Sequence, residues 1–209
     1  MKALIIHASP RRDGNTALLA DAVAEGLREG GHETTTVHAD DVVRHMLRDC
    51  RTCRDAQGRC TIDDAFRDVF LNDFVPAEGF ILSTPIYWYG MSAQAKAFFD
   101  RMFCYVAASF PDSERIKAGL KGKRIGLVLN AEENFPDVGA GIVHQIQEYC
   151  RYTHSTFVGV VQGQANARGE VARDPAAPLA AARRLGETFF TKHATDYQLF
   201  TPRSARVWG

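Results

Sequence analysis

Residues 7–16 read HASPRRDGNT. Within that stretch stand two hydroxyls (Ser9, Thr16), an amide (Asn15), two guanidinium groups (Arg11, Arg12) and a glycine, Gly14. Such a set suits a phosphate monoester. Hydroxyl and amide groups donate to its oxygens, an arginine fork meets two of them at once, and a glycine lets the backbone approach closely. The spacing is not a Walker A loop, since no Gly-Lys-Ser/Thr follows, and it is not G-x-G-x-x-G. The competing structural reading is a long capped turn, with Asn15 capping the helix and the arginines solvated.

Three further groups could do chemistry. Residues 83–103 read STPIYWYGMSAQAKAFFDRMF, with Tyr87, Trp88 and Tyr89 consecutive. Three rings suggest a flat aromatic ligand, with Pro85 stiffening the approach and Gly90 permitting a turn, or else a patch used in a subunit contact. Residues 50–60, CRTCRDAQGRC, crowd three of the chain's five cysteines. If Cys50 or Cys53 is exposed, its arginine neighbours Arg51 and Arg54 would lower its pKa and make it redox-reactive. The histidines show no HExxH spacing and no Ser–His–Asp arrangement, and His144 is read as a helix-surface residue. Phe98, Phe99, Met102 and Phe103 have helical spacing and read as core or dimer packing, while Arg173, Arg183 and Arg184 read as a solvated face.

Periodicity supplies the elements that would position these groups. Strands are expected at 3–7, 33–38, 79–83, 124–130 and 156–162, and helices at 16–28, 63–75, 92–102, 142–152 and 179–193. Gly30-Gly31 stops the first helix, and the threonine-rich second strand suits a sheet edge. Apolar strands alternating with helices imply a parallel sheet covered on both faces, a three-layer doubly wound α/β fold with five strands in the order 2-1-3-4-5. One domain over residues 1–193 is expected, with a tail from 194 to 209. In that order the loops after strands 1, 3 and 4 meet at the carboxyl-end crevice, and the first loop feeds a helix N-terminus that favours an anion.

Composition narrows the classes. The 209 residues carry 25 Lys+Arg against 25 Asp+Glu, so no global field attracts nucleic acid or an anionic membrane. No signal-peptide pattern and no long apolar run appears, which predicts a cytoplasmic protein, and the odd cysteine number predicts free thiols.

SPRRDGNT followed by TPIYWYGMSAQAKAFFDR resembles the NADPH-dependent FMN reductase family of the flavodoxin-like fold, from Met1 to about Asn130. The resemblance implies that Ser9, Arg11, Asn15 and Thr16 bind the FMN phosphate and that Pro85, Ile86, Tyr87 and Trp88 line the flavin. Arg12 and Asp13 match less clearly. The loop AEENFPDVGAG at 131–141 stands where such proteins close over the flavin, but Glu132 and Glu133 depart from the Gly- or Thr-rich pattern expected there. The cysteine loop is similar to that of iron–sulfur flavoproteins, except that Ala56 stands where a third ligand would fall. Three thiolates leave a fourth iron unligated unless Cys104 or a partner chain supplies one, so no metal is expected. The implied activity is hydride transfer from NAD(P)H to FMN and on to a quinone, flavin or other small organic acceptor, in a homodimer. Two alternatives stand beside it: an FMN enzyme serving one dedicated metabolite, and an iron–sulfur or flavodoxin-like electron carrier. No side chain is assigned as a catalytic acid or base.

Overall fold

The computed structural model describes residues 1–135 and 137–194. Its strands are β1 (Lys2–His7), β2 (Glu33–His38), β3 (Gly79–Tyr87), β4 (Gly90–Met91), β5 (Arg124–Ala131) and β6 (Thr156–Gln164). All but β4 pair in parallel, in the order β2-β1-β3-β5-β6, which is 2-1-3-4-5 for the five long strands. The two residues of β4 fold back antiparallel on the end of β3. The helices are α1 (Asn15–Glu29), α2 (Ala39–Val42), α3 (Phe66–Val69), α4 (Ala93–Arg101), α5 (Phe103–Val106), α6 (Ser113–Leu120), α7 (Ala140–Thr153) and α8 (Pro178–Glu187).

Strand alternation builds two cores. Leu4, Ile6, Phe80, Leu82, Ile125, Leu127 and Leu129 point into one, with Phe66 of α3, Phe98 of α4 and Ile142 of α7. Ala3, Ile5, Ile81, Val128 and Val158 point into the other, with Leu19 and Val23 of α1 and Leu185 of α8. Both faces of the sheet are covered, as parallel strands require. The threonine-rich β2 is the half-exposed edge, and α1 ends on Gly30 with Gly31 at φ +77°.

Several boundaries differ from the sequence expectation. Strand β3 runs four residues past Ser83, to Tyr87, because Pro85 costs it no hydrogen bond. Ser83 accepts from Ala8 N at 2.8 Å, so Pro85, two residues on, faces the same side, where β1 has already ended. The helix expected over 63–75 is α3 followed by a π-helical turn, Phe70–Phe74, closed by Val75 N donating to Phe70 O at 2.9 Å. That wider turn stacks Phe66, Phe70 and Phe74 in a column. The last helix stops at Glu187 rather than His193: the Thr188 hydroxyl folds back onto Arg184 O, and Phe189 turns into the core. Helices α2, α5 and α6 were not anticipated; each is short or too polar for a clear apolar stripe. The expected tail lies, from residue 195 on, outside the described residues. No helix among those described is long and apolar enough to cross a membrane.

The long excursion between β2 and α3 is held by one buried ion pair. Arg101 donates to Asp64 Oδ2 at 2.7 Å and Oδ1 at 2.9 Å, and to His45 O at 2.8 Å, with both side chains almost fully excluded from solvent. Burial alone would raise the Asp64 pKa, but the Arg101 guanidinium holds it below the ordinary value.

Helices α1 and α8 touch backbone to backbone: a Cβ on Gly26 would collide with Arg183 O, and one on Gly186 with Val23 O. In a helix interior Ala ordinarily gains about 1 kcal/mol over Gly. Gly26→Ala is expected to reverse that sign and destabilise the fold by about 1–3 kcal/mol in urea unfolding. A neutral or stabilised variant would refute this packing.

Candidate functional site

A single hydroxyl joins the first two loops. Ser92 Oγ donates to Ala8 O at 2.6 Å and accepts from Ala95 N at 3.2 Å, capping α4, while Ser92 N donates to Thr84 Oγ1 at 3.0 Å. The first loop therefore leaves β1 with its opening carbonyl fixed to the cap of α4. One residue on, Ser9 Oγ accepts from Arg11 N at 3.1 Å, which leaves its own hydrogen to donate. Ser83 Oγ donates to Thr16 O at 2.8 Å and ties the first turn of α1 to β3.

These loops open onto a cavity of about 570 Å³ at the carboxyl edge of the sheet, a volume typical of cofactor sites. All eight residues singled out from the sequence line it: Ser9, Arg11, Asn15, Thr16, Pro85, Ile86, Tyr87 and Trp88. Of the two candidate guanidinium groups, only Arg11 faces the cavity. Arg12 turns away to Asp40, at 3.1 Å, and Asp41, at 2.7 Å, and its hydrogen bond holds the Asp41 carboxyl below the usual range. Nor does His7 add positive charge: burial first, then the neighbouring His38 and Arg12, lower its pKa to about 4.

Asn15 plays a part the sequence did not suggest. The α1 N-cap is Gly14, and the Asn15 side chain reaches across to the loop after β6, donating to Ala167 O at 2.9 Å and accepting from Val171 N at 3.3 Å. Arg168 from the same loop bridges to Asp13 at 2.6 Å. That loop, with Ala165, Asn166 and Arg168 on the cavity wall, was missed. The one available signal was topological, since β6 ends at the same sheet edge as β1 and β3.

Tyr87 and Gly90 pair across a two-residue hairpin, so Trp88 and Tyr89 form its turn, with φ +50° and +61°. Tight hairpins need positive φ at both central positions and usually place Asn and Gly there. Here two aromatics hold that conformation. Trp88 is 96% exposed, and Tyr89 packs its ring 6.0 Å from Phe135 of the third loop. Glu132 and Glu133 also line the cavity, Glu132 being pinned by Asn166 Nδ2 at 3.0 Å. Deeper in, Asn130 donates to Ala165 O at 2.9 Å while its Oδ1 is buried without a partner.

The remaining groups lie elsewhere. None of the five cysteines is in a disulfide; Cys50, Cys60, Cys104 and Cys150 are buried and Cys53 is partly exposed. The lowered pKa expected for an exposed cysteine of that loop does not occur at Cys53: burial first, then the Cys50 and Cys60 sulfurs, push its thiol up. His144 is on the exposed face of α7, 4.0 Å from Glu148.

A family model described as flavodoxin-like fold matches residues 1–185. A Bacillus subtilis protein named putative NAD(P)H-dependent FMN-containing oxidoreductase is 28% identical over 188 residues, 88% of this chain and 97% of that one. An Archaeoglobus fulgidus iron-sulfur flavoprotein is 32% identical over 151 residues, 70% of this chain but 62% of its own length. Among solved structures, the NAD(P)H:quinone oxidoreductase from Methanothermobacter marburgensis superposes with TM-score 0.66 at 19% identity, covering 92% of this chain and 98% of that one.

The left-handed aromatic turn carries strain of about 1–2 kcal/mol per residue, which Asn and Gly would relieve. The double variant Trp88→Asn/Tyr89→Gly is expected to raise thermal stability and to weaken ligand binding at the cavity. Lower stability in thermal unfolding would contradict it.

Proposed function

From a chain that belongs to the flavodoxin-like fold family, we propose an FMN-dependent oxidoreductase that takes hydride from NAD(P)H and passes electrons to a quinone, flavin or other small organic acceptor. The observation that carries this reading is the cavity itself, which a phosphate-type donor set and an aromatic loop from separate parts of the sequence line together.

The residues present fit the cofactor. Ser9 and Thr16 offer hydroxyls, the first turn of α1 offers backbone N–H groups, and Arg11 offers a guanidinium fork for a phosphate. Gly14 lets the loop close, since a Cβ there would press on Arg11 at 3.1 Å. The unpartnered Asn130 Oδ1 is a ready acceptor for a ligand N–H. Bound FMN would supply the reversible two-electron hydride chemistry. The chain's own work would be to hold the phosphate with the first loop and to border the ring with Ile86 and the aromatic turn. No lining residue is needed to move a proton in that scheme.

A second reading, an FMN enzyme dedicated to one metabolite, draws on Glu132 and Glu133, whose carboxylates give the rim a charge that a general reductase does not require. The exposed Trp88 and its neighbours also support a homodimer, with this apolar rim set at the subunit boundary.

Titration of the colourless protein with FMN should quench flavin fluorescence, and Arg11→Ala should weaken binding about ten- to a hundredfold, the worth of a charge-assisted bidentate contact. Absence of quenching would end the proposal. In stopped flow, rapid bleaching by NADH or NADPH supports the general reductase, whereas bleaching by an organic substrate alone supports the dedicated enzyme. Sedimentation equilibrium should give twice the 23.1 kDa chain mass, and a strict monomer would remove the dimer.

A further inference from the structure

A guanidinium from the far end of the chain stands on the wall of the cofactor cavity. Arg168 lies in the loop after β6, and its Nη1 donates at 2.6 Å to Asp13 Oδ2 in the first loop, 155 positions away.

The loop that carries Arg168 is fixed on both sides of it. Ala165 N donates to Ala131 O at 2.8 Å, and Asn130 Nδ2 donates to Ala165 O at 2.9 Å. Glu170 Oε2 then accepts from Asn166 N at 3.0 Å and from Ala167 N at 2.9 Å, which closes the loop on itself. Gly169 follows at φ +74°, a conformation that favours glycine, and Val171 is buried in the core shared with α1.

Asn15 latches this loop around Arg168. Its Nδ2 donates to Ala167 O at 2.9 Å, just before Arg168, and its Oδ1 accepts from Val171 N at 3.3 Å, three residues after it. Both polar atoms of a buried amide are thereby engaged within the chain. Such a side chain is better placed to fix where Arg168 leaves the backbone than to bind an anion.

Charge explains why that position matters. Asp13 belongs to the loop that presents the phosphate-type donors, and a carboxylate there opposes a phosphate dianion. Arg12 does not offset it, since Arg12 is committed to Asp40 and Asp41. Arg168 does, pairing with Asp13 while it lines the cavity. A guanidinium has five N–H donors, so a single contact through Nη1 leaves others for an anion, and the side chain is exposed enough to turn without disturbing the core.

We propose that Arg168 is a phosphate-recognition residue of the FMN site, and that Asn15 is the positioning residue that holds its loop in place rather than a phosphate ligand. This inference rests on the FMN reading and adds to it a residue outside the first loop and a changed role for one inside it. Arg168 acts twice, cancelling the Asp13 charge and offering N–H donors to the phosphate.

The test is fluorescence titration of the full, flavin-free chain with FMN and with riboflavin, which lacks the phosphate. Arg168→Ala should raise the FMN Kd about three- to thirtyfold, the worth of a partly exposed charge-assisted contact, and leave the riboflavin Kd unchanged. Equal loss of both flavins, or of neither, would overturn the phosphate role. Asp13→Asn should lower the FMN Kd, because the opposing carboxylate is gone; weaker FMN binding in that variant would overturn the charge argument. Asn15→Ala should lose the same preference for FMN over riboflavin, and Asn15→Ala/Arg168→Ala should lose no more than Arg168→Ala alone, since nothing is left to position. Losses that multiply would return Asn15 to the phosphate and overturn its positioning role. The Arg168 and Asp13 arms do not depend on how well Asn15→Ala folds. A wild-type chain that binds neither flavin would remove the FMN reading and this inference with it, whereas one that binds both with equal affinity would remove phosphate recognition alone.

Discussion

The Ser92 hydroxyl carries more of this architecture than its size suggests. It is fully buried, and its hydroxyl donates to the carbonyl that opens the first loop while accepting from Ala95 N in the first turn of α4. A buried carbonyl left without a partner costs about 1–3 kcal/mol, so separating the two loops would leave the Ala8 carbonyl unpaired at that cost. Through Ser92 N and Thr84 Oγ1 the same node reaches β3 just before Pro85. Loops usually drift relative to one another because each is anchored only at its own ends. Here the phosphate-type loop and the aromatic loop share an anchor between them.

From that node the cavity divides its work by charge and by shape. Arg11 and the N-terminus of α1 make one end electropositive, and Arg12, which could have competed, is neutralised by Asp40 and Asp41. His7 lies directly behind the loop but stays neutral at physiological pH, since burial works against its charge. The rest of the lining has rings, a buried acceptor at Asn130 and two carboxylates, which suit a flat heterocycle with N–H groups better than a second anion.

Much of this was legible in the sequence. Continuous apolar runs in β1, β3 and β5, separated by helical stripes, are enough to imply a parallel sheet, and the crossover rule then sets the edge at which residues 9–16 and 84–88 meet. What could not be read depends on partners distant in sequence. Asn15 has the composition of a helix cap or an anion ligand, and only the arrival of Ala167 and Val171 turns its amide into a latch. The Trp88-Tyr89 turn was hidden for a different reason: hairpins of this type announce themselves by Asn and Gly, and this one uses residues that resist the conformation. The extension of β3 through Pro85 was equally unreadable, because proline normally argues against a strand, and its tolerance here follows from β1 having ended.

Three of the places where local preference was overridden fall on one edge of the sheet. The strained turn, the proline within a strand and the buried acceptor of Asn130 all border this one cavity. A sequence under no constraint but stability would relax the turn and fill the acceptor, since either change is accessible by single substitutions. Strain kept in the same place as an unfilled polar position is therefore better explained by a bound partner than by packing, because a ligand can recover what the folded chain alone gives up.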